Sequence, residues 1–224
     1  MAFLGYRERV GDQKSLIPDT HALFRNIKRA FLPAWHFMKS IPTSLPDVFI
    51  LEPTVFGDER GYFYEAFNQQ AFAQLGFIQQ FVQDNQSRSP RGILRGLHYQ
   101  IRQPQDKLVR CLRGSIYDVI VDVRRGSPTF GKWVAVELTE ANKRMLWVPK
   151  GYAHGFVVTS DSADVLYKVT DYWSKEHERG LRWSDPAVAI PWPDVGGAPQ
   201  LNQRDATWPL LADIPECDRP EYRP

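Results

Sequence analysis

The sequence predicts an all-β fold, a sandwich or barrel built from many short strands. Short apolar or alternating segments recur along the chain, and glycine- or proline-containing turns separate them at the spacing typical of such folds. Helical periodicity does not extend over a long window anywhere in the sequence. With 224 residues, the chain is long enough for one large domain with a sizeable core.

Composition and charge narrow the class of protein. Hydrophobic residues make up 43% of the chain and charged residues 24%, as in ordinary soluble globular proteins. The net charge of +2 gives no argument for nucleic-acid binding by itself. No apolar run approaches the ~20 residues that span a bilayer, and the N-terminus lacks an apolar signal core, so we expect a cytoplasmic protein without a membrane partner. Cys111 and Cys217 fit no metal spacing and favour a reducing compartment.

The first 45 residues differ from the rest of the chain. They carry seven basic and three acidic residues, whereas residues 46–224 have a small negative balance. We therefore predict a basic N-terminal arm over residues 1–45 and one domain with a wrapping C-terminal tail over residues 46–224. Within the arm, residues 19–33 predict a short helix that Pro33 ends, with apolar and basic side chains on different faces.

Three interpretations of the arm stay open. We favour an arm that is flexible or packs on a partner, because short amphipathic stretches of this kind are common. A helix lying on a membrane surface is the second interpretation. The third is an upstream extension of a chain whose native start is Met38, where the sequence Met-Lys-Ser-Ile-Pro begins.

The first strand-like segments of the domain are residues 48–51, an apolar run, and residues 62–67, which alternate as a strand does. Residues 57–61 form a polar turn between them. A short helix follows, which Asn68 caps and Gly76 ends. An asparagine side chain accepts hydrogen bonds from the first helical N–H groups, and glycine suits the conformation found just past a helix end.

Residues 82–100 combine the groups expected of a site for an anion. Arg88, Arg91 and Arg95 bring positive charge, and His98 brings a side chain that transfers protons near neutral pH. Arginines beside a single histidine suit an anionic ligand that undergoes proton transfer. The residues leave open an alternative, a strand and loop whose polar groups are simply satisfied.

Five further segments are predicted to be strands: residues 108–112, 115–123, 133–138, 144–148 and 165–169. In the second of them, Tyr117, Val119, Val121 and Val123 fall on one face. From Pro191 onward the chain is rich in proline and tryptophan, so we expect it to wrap the surface irregularly.

The segment Pro149-Lys-Gly-Tyr-Ala-His154 has the form P-x-G-x-x-H. It resembles the second half of the signature of cupins, small jelly-roll barrels that often bind a metal through an H-x-H pair. In the matching first half, Gln100 stands where the second histidine would be. A transition metal needs three or four converging ligands, and His98 and His154 are too few. We therefore predict neither a metal nor another cofactor.

Several separate motifs, in the same order, resemble the dTDP-4-dehydrorhamnose 3,5-epimerase family over about residues 46–211. They lie at residues 56–65, 82–85, 94–98, 107–110, 126–131, 148–156 and 183–186. The resemblance implies a cupin-like jelly-roll barrel with a few short helices, assembled as a homodimer without a metal. It also implies a substrate of the class of dTDP-linked 4-keto-6-deoxyhexoses. The N-terminal arm is not covered.

The resemblance further implies site residues. His98 would be the base, oriented by Asp205, and Tyr167 the acid on the opposite face of the sugar ring. Lys107 would stabilise the enolate oxygen. Considered without the resemblance, Tyr167 and Asp205 would be an ordinary half-buried tyrosine and an exposed loop carboxylate. The implied substrate-binding residues are Arg60, Phe63, Glu65, Gln83, Asp84, Asn85, Arg95, His154, Trp173, Glu178 and Arg204.

Two of these positions depart from the family pattern. Trp173 stands where the family often has a tyrosine that stacks on the nucleotide, and an indole ring stacks at least as well. Arg204 replaces a lysine, which keeps the charge and changes the geometry.

The predicted activity is epimerisation at C3 and C5 of dTDP-4-keto-6-deoxy-glucose to dTDP-4-dehydro-rhamnose, in dTDP-rhamnose biosynthesis. One alternative is an epimerase of a single centre or a ketoisomerase of a related dTDP-sugar. Another is a non-catalytic cupin that binds sugar nucleotides, and nucleic-acid binding through the basic arm is the most distant. The acid and base together favour the double epimerase, because binding alone requires neither.

Overall fold

The computed structural model describes residues 38–223, which form two β-sheets packed face to face. The six-stranded sheet has the order β1-β2-β10-β7-β12-β5, the five-stranded sheet has the order β13-β6-β11-β8-β9, and β3 and β4 form a separate hairpin. The strands are β1 (Met38–Pro42), β2 (Phe49–Pro53), β3 (Phe56–Asp58), β4 (Gly61–Phe63), β5 (Gln83–Pro90), β6 (Leu94–Gln100), β7 (Lys107–Arg113), β8 (Ser115–Asp122), β9 (Trp133–Thr139), β10 (Met145–Val148), β11 (Tyr152–Val158), β12 (Ser162–Val169) and β13 (Glu178–Gly180). Neighbouring strands pair antiparallel, and the predicted all-β fold is confirmed.

Short helical segments interrupt the strands at a few points. Helix α1 (Gln69–Gln74) begins after Asn68, whose side chain accepts from the backbone N–H groups of Gln70 at 2.9 Å and Ala71 at 3.2 Å. Gly76 follows with a φ of +96°, as predicted for a residue that ends a helix. The C-terminal tail contains helix α2 (Gln203–Ala206) and 3-10 turns at Leu211–Asp213 and Glu216–Asp218, with irregular chain between them.

The core lies between the sheets and extends over the outer face of the smaller one. Strand β8 contributes to both parts, because Ile116 and Ile120 face the space between the sheets, whereas Val119 and Val121 pack beneath the C-terminal tail. All four side chains are fully buried. The predicted shared face of this strand is confirmed, and each such side chain stabilises the fold by roughly 1.5–3 kcal/mol.

A buried ion pair lies at the end of β8. Asp122 accepts two hydrogen bonds from the guanidinium of Arg124, at 3.0 and 2.8 Å, and one from each hydroxyl of Ser127 and Thr129, at 2.6 Å. The Arg124 guanidinium lies 4.0 Å from the ring centre of Tyr152. These contacts explain the turn after the strand, because its hydroxyls help to satisfy a carboxylate that is buried away from solvent.

The structure changes several predicted boundaries. The segment 62–67 forms only the short strand β4, which pairs with β3 across a turn at residues 59–60. Residues 82–100 form two strands, β5 and β6. Within the predicted arm, residues 38–42 form β1, an edge strand of the larger sheet that pairs with β2. The predicted helix at residues 19–33 lies outside the described residues, and the division of the chain at residue 45 stays a prediction.

Candidate active site

A cavity of about 310 Å³ lies between the two sheets. Strands β5, β7 and β12 form one wall, and strands β6, β11 and β13 form the wall opposite. The cavity brings together the four predicted catalytic residues, His98, Tyr167, Asp205 and Lys107, and the predicted binding residues Gln83, Asn85, Arg95, His154, Trp173, Glu178 and Arg204. These residues are far apart in the sequence, and the packing of the two sheets face to face brings them together.

His98 is held by Asp205. Its Nε2 lies 2.8 Å from Oδ1 of the carboxylate, which is only 1% exposed. Burial raises the pKa of Asp205, but the hydrogen bonds from His98 and Gly96 and the charge of Arg204 outweigh it and leave this pKa below its usual value. An ionised carboxylate only accepts hydrogen bonds, so Nε2 of His98 carries a proton, and the neutral form of this ring has its lone pair on Nδ1.

Hydrogen bonds to the backbone also fix the position of Asp205. Its second oxygen accepts from the backbone N–H of Gly96 at 3.1 Å, and its own N–H donates to the side chain of Asn202, the cap of α2, at 2.8 Å. Gly96 tolerates no side chain, since a Cβ there would lie 2.5 Å from the Cα of Gly155 on the neighbouring strand β11. The close approach of the two strands sets the position of the N–H that binds the carboxylate.

A second histidine–carboxylate pair lies beside the first. His154 is the strand partner of His98 across β6 and β11, and its Nε2 lies 2.6 Å from Oδ1 of Asp118 on β8. Both side chains are buried. Burial lowers the pKa of His154 and is only partly offset by Asp118, so the neutral ring is favoured. Asp118 is not among the residues predicted from the sequence, although a carboxylate within the apolar strand β8 is a signal of a buried polar contact.

Lys107 and Tyr167 reach the cavity from the opposite sheet, on the adjacent strands β7 and β12. Burial lowers the pKa of Lys107 to about 8, while the charges of Glu178 and Asp118 raise it. Burial also raises the pKa of Tyr167 above its usual value, so the phenol stays protonated at neutral pH. A proton donor and a cation thus face the His98 side of the cavity.

The remaining predicted residues form the polar lining. The Gln83 side chain donates to that of Asn85 at 2.8 Å on the inner face of β5, and Arg95 donates to the hydroxyl of Ser89 at 3.1 and 3.0 Å. Glu178 pairs with Arg204, whose Nε also donates to Asp205 at 3.2 Å. Arg204 therefore connects two carboxylates of the site, which explains why a forked cation suits this position.

Four predicted binding residues do not lie at the cavity of the same chain. Asp84 points outward and pairs with Lys168 at 2.9 Å, because successive side chains of β5 face opposite sides and its neighbours Gln83 and Asn85 face inward. Arg60 pairs with Asp58 on the exposed β3–β4 hairpin, where Phe63 is 69% exposed. The fourth residue, Glu65, accepts from the side chain of Asn68 before helix α1 at 3.0 Å.

Within residues 38–223, no group of three or more histidine, cysteine, aspartate or glutamate side chains is placed to hold a metal ion. Gln100 is buried, and its carboxamide binds backbone groups of two loops. In the same part of the chain, no helix combines the length and the apolar character needed to cross a bilayer.

The fold and the site define a class, a cupin-like jelly roll with an acid–base cavity. The family model described as dTDP-4-dehydrorhamnose 3,5-epimerase matches residues 42–213. An enzyme of that name from Pseudomonas aeruginosa is 55% identical over 79% of this chain and 97% of its own length. One from Shigella flexneri is 56% identical over 79% and 97%.

A solved structure from Legionella pneumophila agrees with these relatives. It is a dTDP-6-deoxy-D-glucose-3,5-epimerase in complex with dTDP-4-keto-L-rhamnose, 49% identical, with a TM-score of 0.81 over 84% of this chain and 100% of the other. The chain belongs to the dTDP-4-dehydrorhamnose 3,5-epimerase family. The predicted family, jelly-roll fold and isomerase activity are confirmed.

Proposed function

We propose that this chain inverts C3 and C5 of dTDP-4-keto-6-deoxy-glucose to give dTDP-4-dehydro-rhamnose, in the biosynthesis of dTDP-rhamnose. One observation carries the proposal: the His98–Asp205 pair lies on one wall of a cavity and Tyr167 on the wall opposite. A base and an acid on opposite faces of one sugar ring are what inversion requires.

The chemistry follows from the ketone at C4 of the substrate. This ketone acidifies the hydrogens on C3 and C5, and Nδ1 of His98 removes one of them, so that the C–H bond breaks and an enolate forms. Lys107 stabilises the negative oxygen of the enolate. Tyr167 then donates its proton to the same carbon from the opposite face, and the ketone is restored. Before the step repeats at the second carbon, water takes the proton from the His98 imidazolium and returns one to the Tyr167 phenolate, and no oxidant or reductant is consumed.

The lining of the cavity suits the rest of the substrate. Arg95 and His154 line the cavity and would contact the sugar and the diphosphate, since a guanidinium donates two hydrogen bonds at once to phosphate oxygens. Gln83, Asn85 and Trp173 also line the cavity and would contact the nucleoside, with the half-exposed indole ring stacking on the base. Glu178 and Arg204 complete this side of the site.

We also propose that the protein is a cytoplasmic homodimer in which the β3–β4 hairpin of one copy reaches the cavity of the other. Phe63 and Tyr62 on that hairpin are more than half exposed, which is unusual for large aromatic side chains without a partner surface. In this arrangement, Arg60 and Phe63 would contact the substrate in the cavity of the partner copy, since they lie away from the cavity of their own chain. Both cysteines of the chain are free thiols, which favours a reducing compartment.

The proposal is tested by NMR of dTDP-4-keto-6-deoxy-glucose with the protein in heavy water. Deuterium entering at both C3 and C5 with formation of the rhamno product supports the double epimerase. Deuterium entering at only one carbon would mean that the protein is a single-centre epimerase instead. No exchange at either carbon would refute the mechanism.

Two variants complete this test. We expect His98→Ala to fold normally and to lose turnover, because the base is gone. His177→Ala is the matched control, since His177 lies outside the cavity and should keep the wild-type rate. Near-normal turnover of His98→Ala would mean that another residue is the base.

A further inference from the structure

Trp173 lies at the cavity on a connecting segment without regular secondary structure, residues 170–177 between β12 and β13. Its side chain is 50% exposed, and that of the neighbouring Tyr172 is 60% exposed. Half-exposed rings receive little positional restraint from packing. The position of the indole therefore depends on what holds the backbone of this segment.

Three glutamine side chains hold that backbone at three positions between residues 171 and 174. Gln105 donates to the carbonyl of Asp171 at 2.7 Å. Gln83 accepts from the N–H of Trp173 at 3.3 Å, and Gln100 accepts from the N–H of Ser174 at 2.6 Å. We name Gln83, Gln100 and Gln105 the glutamine clamp.

Gln100 is the central member of the clamp. It is only 6% exposed and lies two residues after His98 on β6. Its amide nitrogen donates to the carbonyl of Gln103 at 2.7 Å and lies 3.4 Å from the carbonyl of Tyr172. One buried carboxamide thus ties the segment that carries Trp173 both to the strand that carries the base and to the loop that follows it.

We propose that Gln100 is a positioning residue that pre-organises Trp173 for the nucleoside of the substrate; the proposal rests on the nucleotide-binding role of Trp173 given above. A side chain held in its bound position before the ligand arrives spares the ligand the entropy cost of ordering it. Gln100 has both a donor and an acceptor, which the carbonyl of Tyr172 and the N–H of Ser174 on either side of Trp173 require. A metal-binding cupin would have a histidine that ligates the metal at this position. Here the carboxamide of Gln100 binds backbone groups of two loops instead.

The test compares Gln100→Met with the wild-type protein in calorimetric titrations with dTDP alone. Methionine keeps the size of the side chain and removes its hydrogen bonds. We expect the Kd for dTDP and the KM for the sugar nucleotide to rise about tenfold, as the cost of ordering one or two side chains on binding predicts, with kcat falling less than about threefold. The matched control is Gln86→Met, on the outward face of β5.

Fluorescence supplies a readout that a general loss of stability would not move. The chain has seven tryptophans, so the contribution of Trp173 is identified by difference. This signal is the part of the dTDP-induced fluorescence quenching that is lost in Trp173→Phe. We expect that signal to be weaker in saturated Gln100→Met, because the indole is no longer fixed over the site. Gln105→Met removes a different contact to the same segment, and it carries the test if Gln100→Met does not fold.

The outcomes separate the clamp from the proposed reaction. Unchanged Kd values in Gln100→Met and Gln105→Met would overturn the clamp and leave the epimerase mechanism intact. A fall in kcat at constant KM would also overturn it, because Gln100 would then act on the chemistry. Wild-type protein that binds dTDP without epimerising the sugar would refute the proposed reaction. The ratio of each variant's Kd for dTDP to the wild-type Kd would still test the clamp.

Discussion

Replacement of Asp205 by asparagine tests the central pair of the site with almost no change of volume. The carboxylate accepts three hydrogen bonds: from His98 at 2.8 Å and Arg204 at 3.2 Å on one oxygen, and from the N–H of Gly96 at 3.1 Å on the other. An asparagine amide has one acceptor oxygen, so its nitrogen must face at least one of these donors. The orientation that loses least keeps the oxygen toward His98 and faces the nitrogen toward Gly96.

Two magnitudes follow from this geometry. A buried N–H left without an acceptor costs about 1–3 kcal/mol of the free energy of unfolding. In catalysis, the neutral amide still orients His98 but no longer stabilises the imidazolium that forms when a carbon proton is removed. A hydrogen bond to a charged group contributes about 1.5–3 kcal/mol, which corresponds to a loss of roughly 10- to 150-fold in kcat.

The assay follows deuterium entry at C3 and C5 under saturating substrate, beside urea denaturation of the same samples. Asp185→Asn is the matched control, because Asp185 is also buried and accepts from the N–H groups of Ala187, Val188 and Leu211 away from the cavity. It should lose similar stability and retain the wild-type rate.

A double-mutant cycle with His98→Asn completes the experiment. If Asp205 acts through His98, the double variant is no slower than His98→Asn alone. Exchange rates within about twofold of wild type in Asp205→Asn, or additive effects in the cycle, would refute the assigned role.

Four further results are expected. Tyr167→Phe should slow inversion on the order of 10²-fold, while NMR still detects deuterium exchange from the His98 side. Because the pKa of Lys107 is about 8, the pH profile of kcat/KM should fall above that pH, as the neutral amine no longer stabilises the enolate, and Lys107→Arg should move the fall upward. Phe63→Ser should weaken the proposed dimer in analytical ultracentrifugation. Arg124→Met leaves the buried charge of Asp122 unpaired, which should cost about 3–5 kcal/mol in urea denaturation.

Apolar patterning makes several strands predictable from the amino-acid sequence. Strand β8 is the clearest case, since its alternation over Tyr117, Val119, Val121 and Val123 corresponds to a buried face. The cap of helix α1 at Asn68 is equally predictable, because capping is a local contact between a side chain and nearby backbone N–H groups.

Strand β5 shows where such patterning fails. Its sequence, Gln-Asp-Asn-Gln-Ser-Arg-Ser-Pro, contains no apolar side chain before the final proline to reveal a strand. One face lines the polar cavity and the other faces solvent, so neither face needs hydrophobic residues. The motif Gln83-Asp84-Asn85 is recognisable as part of a site, but its alternation has meaning only once the strand is known. Asp84 therefore faces away from the cavity, although the family resemblance groups it with its neighbours.

Arg95 and His98 are recognisable as candidate site residues from their own segment, but the complete site is predictable only through the family resemblance. His98 and Asp205 are 107 residues apart, and no local pattern pairs them. Asp118 escapes prediction for a related reason, since its partner His154 lies on a neighbouring strand of the sheet, 36 residues further along the chain. Arg60, Phe63 and Glu65 match the family pattern in sequence but lie away from the cavity of their own chain, which a single sequence does not reveal.

The two sheets explain why one barrel gives both halves of the chemistry. The five-stranded sheet carries His98 and His154, each bound to a buried carboxylate, whereas the six-stranded sheet carries Lys107 and Tyr167. Burial shifts the pKa values of the last two groups in opposite directions, since it lowers the pKa of Lys107 and raises that of Tyr167. In the proposed reaction, a sugar ring between the sheets would therefore meet His98 on one face and the protonated phenol of Tyr167 on the other. The packing of the sheets would then set the direction of the proposed proton transfer.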